Sequence, residues 1–140
     1  MPAGASRAGR PEPQLTTGEE TATVLQTVRR VEKPWGYELI FAHTGRYAGK
    51  ILHVEAGHAL SLQYHERKEE TLYLASGECE FEVEEAGDMV RRTLRKGDCY
   101  HVKPLTRHRM TAGPQGCEFI EVSSPELDDV VRLEDRYGRS

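Results

Sequence analysis

Long apolar runs are missing from this sequence. Nowhere do about 18 consecutive residues stay apolar, so no membrane-spanning helix is expected. The N-terminus lacks the apolar core of a secretory leader, which points to a cytoplasmic protein. An excess of positive charge is missing too. Lys and Arg number 19 against 23 Asp and Glu, for a formal net charge of −4. Nucleic-acid binders neutralise phosphates with clustered Lys and Arg, so neither nucleic acid nor membrane is expected as a partner. Cysteine is scarce, and Cys79, Cys99 and Cys117 are an odd set without paired spacing. They suit free thiols better than a disulfide framework or a zinc ribbon. A sustained helical period is absent as well, and only residues 126–136 could turn helical.

What is present fits one domain of 140 residues. Residues 1–25 carry Pro2, Pro11 and Pro13, several Gly, Ser and Thr, and no aromatic residue. Such a segment buries too little apolar surface to offset its ordering entropy, so it reads as a disordered tail before a domain at residues 26–140. From Val28 onward, short period-two runs alternate with glycine and proline. The candidate strands span 37–43, 50–54, 59–65, 71–75, 78–84, 89–95, 99–103, 107–111 and 117–122. Strands of this length and spacing predict an all-β sandwich or barrel.

The chemistry concentrates between Gly57 and Gly77. Gln63 and His65 lie two apart on a predicted strand and share a face. Glu70 opens the next strand, and His108 arrives on a later one after Pro104. Two imidazoles, a carboxylate and an amide oxygen are donors that hold a divalent metal and leave positions open to substrate or water. A histidine on a strand is more often a plain surface or packing residue, so spacing alone leaves both readings open.

These residues carry a resemblance. Gly57, Gln63-x-His65, Glu70 and Gly77 match the first cupin motif, with Gln63 in place of its usual first histidine. Gly97, Pro104 and His108 resemble the second, although the glycine between Pro and His is absent and the spacing is one residue tighter. Lys33-Pro34-Trp35-Gly36-Tyr37-Glu38, Ser61-Leu62-Gln63-Tyr64-His65 and the tail from Asp129 to Arg139 are similar to one branch of that superfamily. That branch is the phosphomannose isomerase domain of bifunctional mannose-1-phosphate guanylyltransferase/mannose-6-phosphate isomerase proteins. The resemblance covers residues 28–139 and implies a single-domain cupin jelly-roll β-barrel. It implies one divalent metal, zinc favoured with manganese, iron or nickel open, held by Gln63, His65, Glu70 and His108. It also implies aldose–ketose isomerisation of a phosphorylated, mannose-6-phosphate-like sugar. Where the bifunctional proteins carry an Arg after the ligand histidine, this sequence has Lys68, and no Gly-rich nucleotide loop of the guanylyltransferase kind is present.

In that frame Lys68 or Glu66, beside the ligand turn, is the candidate base that moves a proton between C1 and C2. Lys50 ends an inward stripe with Leu52 and Val54, which makes it a candidate holder of an anionic substrate group or a strand-end lysine reaching solvent. Arg132 and Arg139 suit phosphate recognition, or pair with Glu134 and Asp135 to pin the tail. If Ser61, Gln63 and His65 face the metal, then Leu60, Leu62 and Tyr64 face outward, a stripe that suggests a homodimer or cover by the N-terminal segment. Two other function classes remain: a non-haem iron dioxygenase, and a small-molecule-binding cupin without catalysis.

Overall fold

A computed structural model describes residues 23–140 of the chain. The expected tail of residues 1–25 lies outside the described residues except for its last three. The described residues form nine strands and no helix: β1 Arg29–Lys33, β2 Gly36–His43, β3 Ala48–Val54, β4 Leu62–Tyr64, β5 Glu70–Glu85, β6 Asp88–Arg95, β7 Cys99–Val102, β8 His108–Ser123 and β9 Val131–Glu134. The expected all-β class holds.

The strands follow from alternation. Along β3, Lys50, Leu52 and Val54 are buried while Ile51 and His53 between them are half-exposed. One curled sheet runs β1-β2-β3-β8-β4-β9, and β5 joins it to β6, β7 and β8. The two long strands, β5 and β8, are 16 residues each and pair antiparallel from Glu70↔Ser123 to Val83↔His108. The sequence punctuation at Gly77 and Gly113 suggests two strands in each place. The chain instead bends without breaking, through register shifts between Leu74 and Ser76 and between Gly77 and Cys79. Gly77 has φ 77°, and a Cβ built there would lie 2.1 Å from the Gly116 carbonyl oxygen. Only glycine lets the two backbones pass this closely at a left-handed φ.

Two further expectations change. Residues 59–65 pair as a strand only over Leu62–Tyr64, with an isolated bridge at Ala59. Ala59, Leu60 and Ser61 are all buried, so strict alternation fails there. Leu60 belongs to the core, its N–H donating to the Met110 carbonyl, and Leu62 and Tyr64 are half-buried. The three-residue outward stripe therefore does not form. Residues 126–136 are not helical either. Their middle forms β9, which pairs along β4 and satisfies backbone groups that β4 would otherwise leave open at the sheet edge.

Phe81, Phe119, Leu72, Leu74, Val54, Val83 and Val102 fill the interior, with Trp35 packed against them. Cys79 and Cys117 are buried, Cys99 is exposed, and all three are free thiols, as expected. A second buried set shares the inner face: Glu38, Lys50, Ser61, His65, Lys68, Glu70, His108 and Glu121. So many ionisable side chains inside a small domain mark the site.

Candidate metal centre

His65 follows β4, Glu70 opens β5 and His108 opens β8. Pairing sets their approach. Gln63 of β4 lies opposite His108, and Glu70 is flanked by Val102 of β7 and Ser123 of β8. His65 Nε2 is 3.5 Å from one Glu70 carboxylate oxygen, and His108 Nε2 is 3.2 Å from the other. All three side chains are at most 3% exposed.

The far nitrogen of each ring is committed elsewhere. His65 Nδ1 donates to the Asp129 carbonyl at 2.6 Å, and His108 Nδ1 donates to the Thr106 carbonyl at 2.9 Å. A carbonyl only accepts, so these partners assign a proton to Nδ1, and in the neutral ring Nε2 then carries a lone pair. His65 Nε2, His108 Nε2 and Glu70 Oε1 are buried with no hydrogen-bond partner. Acceptors aimed at one another away from water each cost about 1–3 kcal/mol unless something positive joins them. Their ligand atoms lie within 4.8 Å of one another, a cluster that could hold a metal ion. Imidazoles oriented by backbone carbonyls through their second nitrogen are the usual support for such a site.

The surroundings form alternating ion pairs. Lys68 Nζ lies 3.1 Å from Glu70 Oε1, off the hydrogen-bonding direction, and 3.0 Å from Glu121. Lys50 lies 3.4 Å from Glu38, with Lys33 at 4.0 Å on the same carboxylate. Burial pushes the Glu70 carboxyl up, and the Lys68 ammonium beside it pulls it down. Burial likewise disfavours the Lys68 ammonium, but Glu121 and Glu70 overcome it and raise its pKa. Glu121 moves up: burial and the nearby Glu70 charge outweigh the help it receives from Lys68 and Lys50.

A cavity of ≈ 80 Å³ opens beside His65. Its wall holds five cations, Lys33, Lys50, Lys68, Arg132 and Arg139, and a single carboxylate, Glu38. Leu127 and Val130 form part of it, so the segment after β8 supplies four wall residues. Arg139 pairs with Asp135 at 2.9 Å, and Arg132 donates to the Ser140 carbonyl at 3.0 Å while its Nε is buried without a partner.

The structure thus brings His65, Glu70 and His108 together and sets Gln63 beside them, its Oε1 accepting from Ser61 Oγ at 2.6 Å. Lys50, Lys68, Arg132 and Arg139 all reach the cavity, Lys50 as a buried half of an ion pair and not as a strand-end residue in solvent. Glu66 does not reach it. Its side chain is exposed, and its backbone N–H is bonded to Asp129 on the far side of the loop. Lys68 lies between two carboxylates, Glu70 and Glu121, which favour its charged form. Sequence reasoning passed over Glu38, Glu121 and Asp129. Glu121 carried a signal, since it shares the inward face of β8 with Cys117 and Phe119, where a carboxylate is out of place.

Fold and site define a small antiparallel β-barrel with a two-histidine, one-carboxylate cluster inside. The chain belongs to the cupin family, whose cupin-domain model matches residues 50–123. It is 33% identical over 115 residues to the xanthan biosynthesis protein XanB of Xanthomonas campestris, covering 80% of this chain and 24% of that protein. It is 34% identical over 116 residues to the mannose-1-phosphate guanylyltransferase ManC of Salmonella typhimurium, covering 79% and 23%. The chain thus spans about a quarter of the length of these relatives. Among solved structures it is similar to KdgF from Halomonas sp., with TM-score 0.63 and 26% identity over 74% of this chain and 89% of that one. The oxalate decarboxylase of Bacillus subtilis shares the fold, with TM-score 0.67 and 19% identity over 76% of this chain and 30% of that one.

Proposed function

We propose that this cupin binds one divalent metal through His65, Glu70 and His108, with Gln63 as fourth donor, and isomerises a phosphorylated sugar of the mannose-6-phosphate kind. The observation that carries the reading is the convergence of two imidazole lone pairs on a buried carboxylate, each ring fixed by its other nitrogen. The cationic cavity beside it supports an anionic substrate. The similarity to a mannose-1-phosphate guanylyltransferase supports a mannose phosphate in particular.

Nitrogen and oxygen donors of this kind suit zinc first, with manganese, iron and nickel open. A metal there supplies polarisation of the carbonyl and hydroxyl oxygens of the open-chain sugar. The rest falls to side chains of this chain. Arg132, Arg139 and Lys33 bind and orient the phosphate. Lys68 donates a hydrogen bond to oxygen as negative charge builds there. Glu38, the one carboxylate on the cavity wall, carries the proton between C1 and C2.

The test is elemental analysis of wild type and His65→Ala purified without chelator, followed by mannose 6-phosphate in deuterated water. About one metal per wild-type chain, lost in the variant, with deuterium entering at C1 of the ketose product, is the expected result. Metal together with oxygen uptake and no deuterium would favour the dioxygenase reading, which two histidines and a carboxylate also suit. Wild type without metal, even after soaking with each ion, would leave a non-catalytic binding cupin.

A further inference from the structure

The two ligands His65 and Glu70 are joined by a four-residue loop, Glu66 to Glu69. Three consecutive backbone N–H groups of this loop converge on one carboxylate from the far end of the chain. Glu66 donates to Asp129 Oδ1 at 3.0 Å, and Arg67 and Lys68 donate to Oδ2 at 2.7 and 2.9 Å. The backbone carbonyl of the same residue accepts the Nδ1–H of His65 at 2.6 Å. Asp129 therefore touches the ligand loop twice. Its side chain fixes where the loop runs, and its carbonyl fixes which nitrogen of His65 carries the proton and where the ring points.

Nearby strap contacts are of another kind. Ser124 Oγ accepts from the Glu69 N–H at 2.9 Å, Arg136 donates to the Gly57 carbonyl at 2.8 Å, and the Tyr137 hydroxyl meets His58 Nδ1 at 2.7 Å. Each ties the segment to the barrel without touching a proposed ligand ring. We infer that Asp129 is the positioning residue of the metal centre: by gripping the 66–68 loop it places its own carbonyl against His65 and so presents Nε2 to the metal. This inference rests on the metal reading above. A carboxylate is required because it accepts from three donors at once, which neither Ala nor the mixed donor–acceptor end of Asn reproduces.

The test pairs Asp129→Ala and Asp129→Asn with Ser124→Ala, which removes a strap hydrogen bond to the same loop. Zinc affinity is measured by chelator competition, and the His65 tautomer by long-range proton–nitrogen NMR on the metal-free protein. The inference expects zinc affinity to fall about 10- to 100-fold in both Asp129 variants, as for loss of groups supporting a ligand histidine. Ser124→Ala is expected to stay near wild type. It also expects His65 to be held as the Nδ1–H tautomer in wild type and to become a mixture in the Asp129 variants. If Asp129→Ala does not fold, Asp129→Asn, which keeps the shape, gives the answer. Folded Asp129 variants with wild-type affinity and tautomer would overturn the inference, as would an equal loss in Ser124→Ala. Wild type that takes up no zinc would sink the metal reading, and the tautomer would then decide the role of Asp129 alone.

Discussion

At the scale of single residues, the site is built from side chains that have lost their ordinary options. His65 and His108 each commit one ring nitrogen to a backbone carbonyl and leave the other buried without a partner. Lys68 is pinned between Glu70 and Glu121. Glu38 is different, because it lines the cavity and keeps a carboxylate that two lysines only partly engage. Glu38→Gln preserves its shape and removes its capacity to take a proton. It is expected to lower kcat of isomerisation by about 10²- to 10⁴-fold, with the metal content of the purified protein unchanged. Steady-state kinetics beside elemental analysis checks both halves, and loss of metal would place Glu38 in the metal's support instead. The cluster of His65, Glu70 and His108 was legible in the sequence through its match to the cupin motifs, since strand parity alone puts side chains on a face without saying which of them meet. Glu38 and Asp129 were not, because their partners sit on other strands or loops, and pairing across a barrel leaves no local trace.

At the scale of elements, the segment from Ser124 to Ser140 acts as a strap. It pairs with β4 through β9, closes one wall of the cavity and carries two paired carboxylates: Asp129 holds it to the 66–68 loop, and Asp135 braces its own turn through Arg139. Asp135 is pulled to about 2 by Arg139, against the effect of burial. Burial would raise Asp129, but the N–H groups of Arg67, Glu66 and Lys68 bring it below its ordinary value. Groups with depressed pKa values stabilise the docked strap above the unfolded value of about 4 and lose that contribution as pH falls toward 2. Acid is therefore expected to undock the strap before the barrel opens. Hydrogen exchange between pH 5 and pH 2.5 reads this as loss of protection at Val131–Glu134 while β5 and β8 stay protected. Simultaneous loss in all three strands would show that strap and barrel melt as one unit. The strap is also where sequence reading went furthest wrong. A mixed run of apolar and charged residues resembles a helix until an open sheet edge gives it a partner.

At the scale of the whole molecule, the fold depends on β5 and β8 staying continuous while they turn. That turn is concentrated at Gly77, whose missing side chain lets the Gly116 carbonyl pass. A methyl group there meets backbone, which cannot move aside as a side chain would, and it also meets an unfavourable φ. Gly77→Ala is expected to cost more than about 2 kcal/mol of global stability, read as a lower urea midpoint. Gly87→Ala serves as its comparison, since Gly87 shares a positive φ but has nothing within 4 Å of a Cβ. Equal losses would assign the cost to φ alone and leave the crossing unimportant. The all-β class and most strand positions could be read from alternation. The bend could not, because glycine punctuates a chain in the same way whether a strand ends or merely swerves.

The strap has a consequence for biosynthesis. The chain is made from its N-terminus, so Gln63, His65, Glu70 and His108 leave the ribosome before Asp129 and the wall residues Leu127, Val130, Arg132 and Arg139. A nascent chain thus has the donors of the site before it has the residue that aims one of them. Early ions would meet an unaimed imidazole and an open wall, so selection among competing metals in the cell would fall after translation has passed the strap.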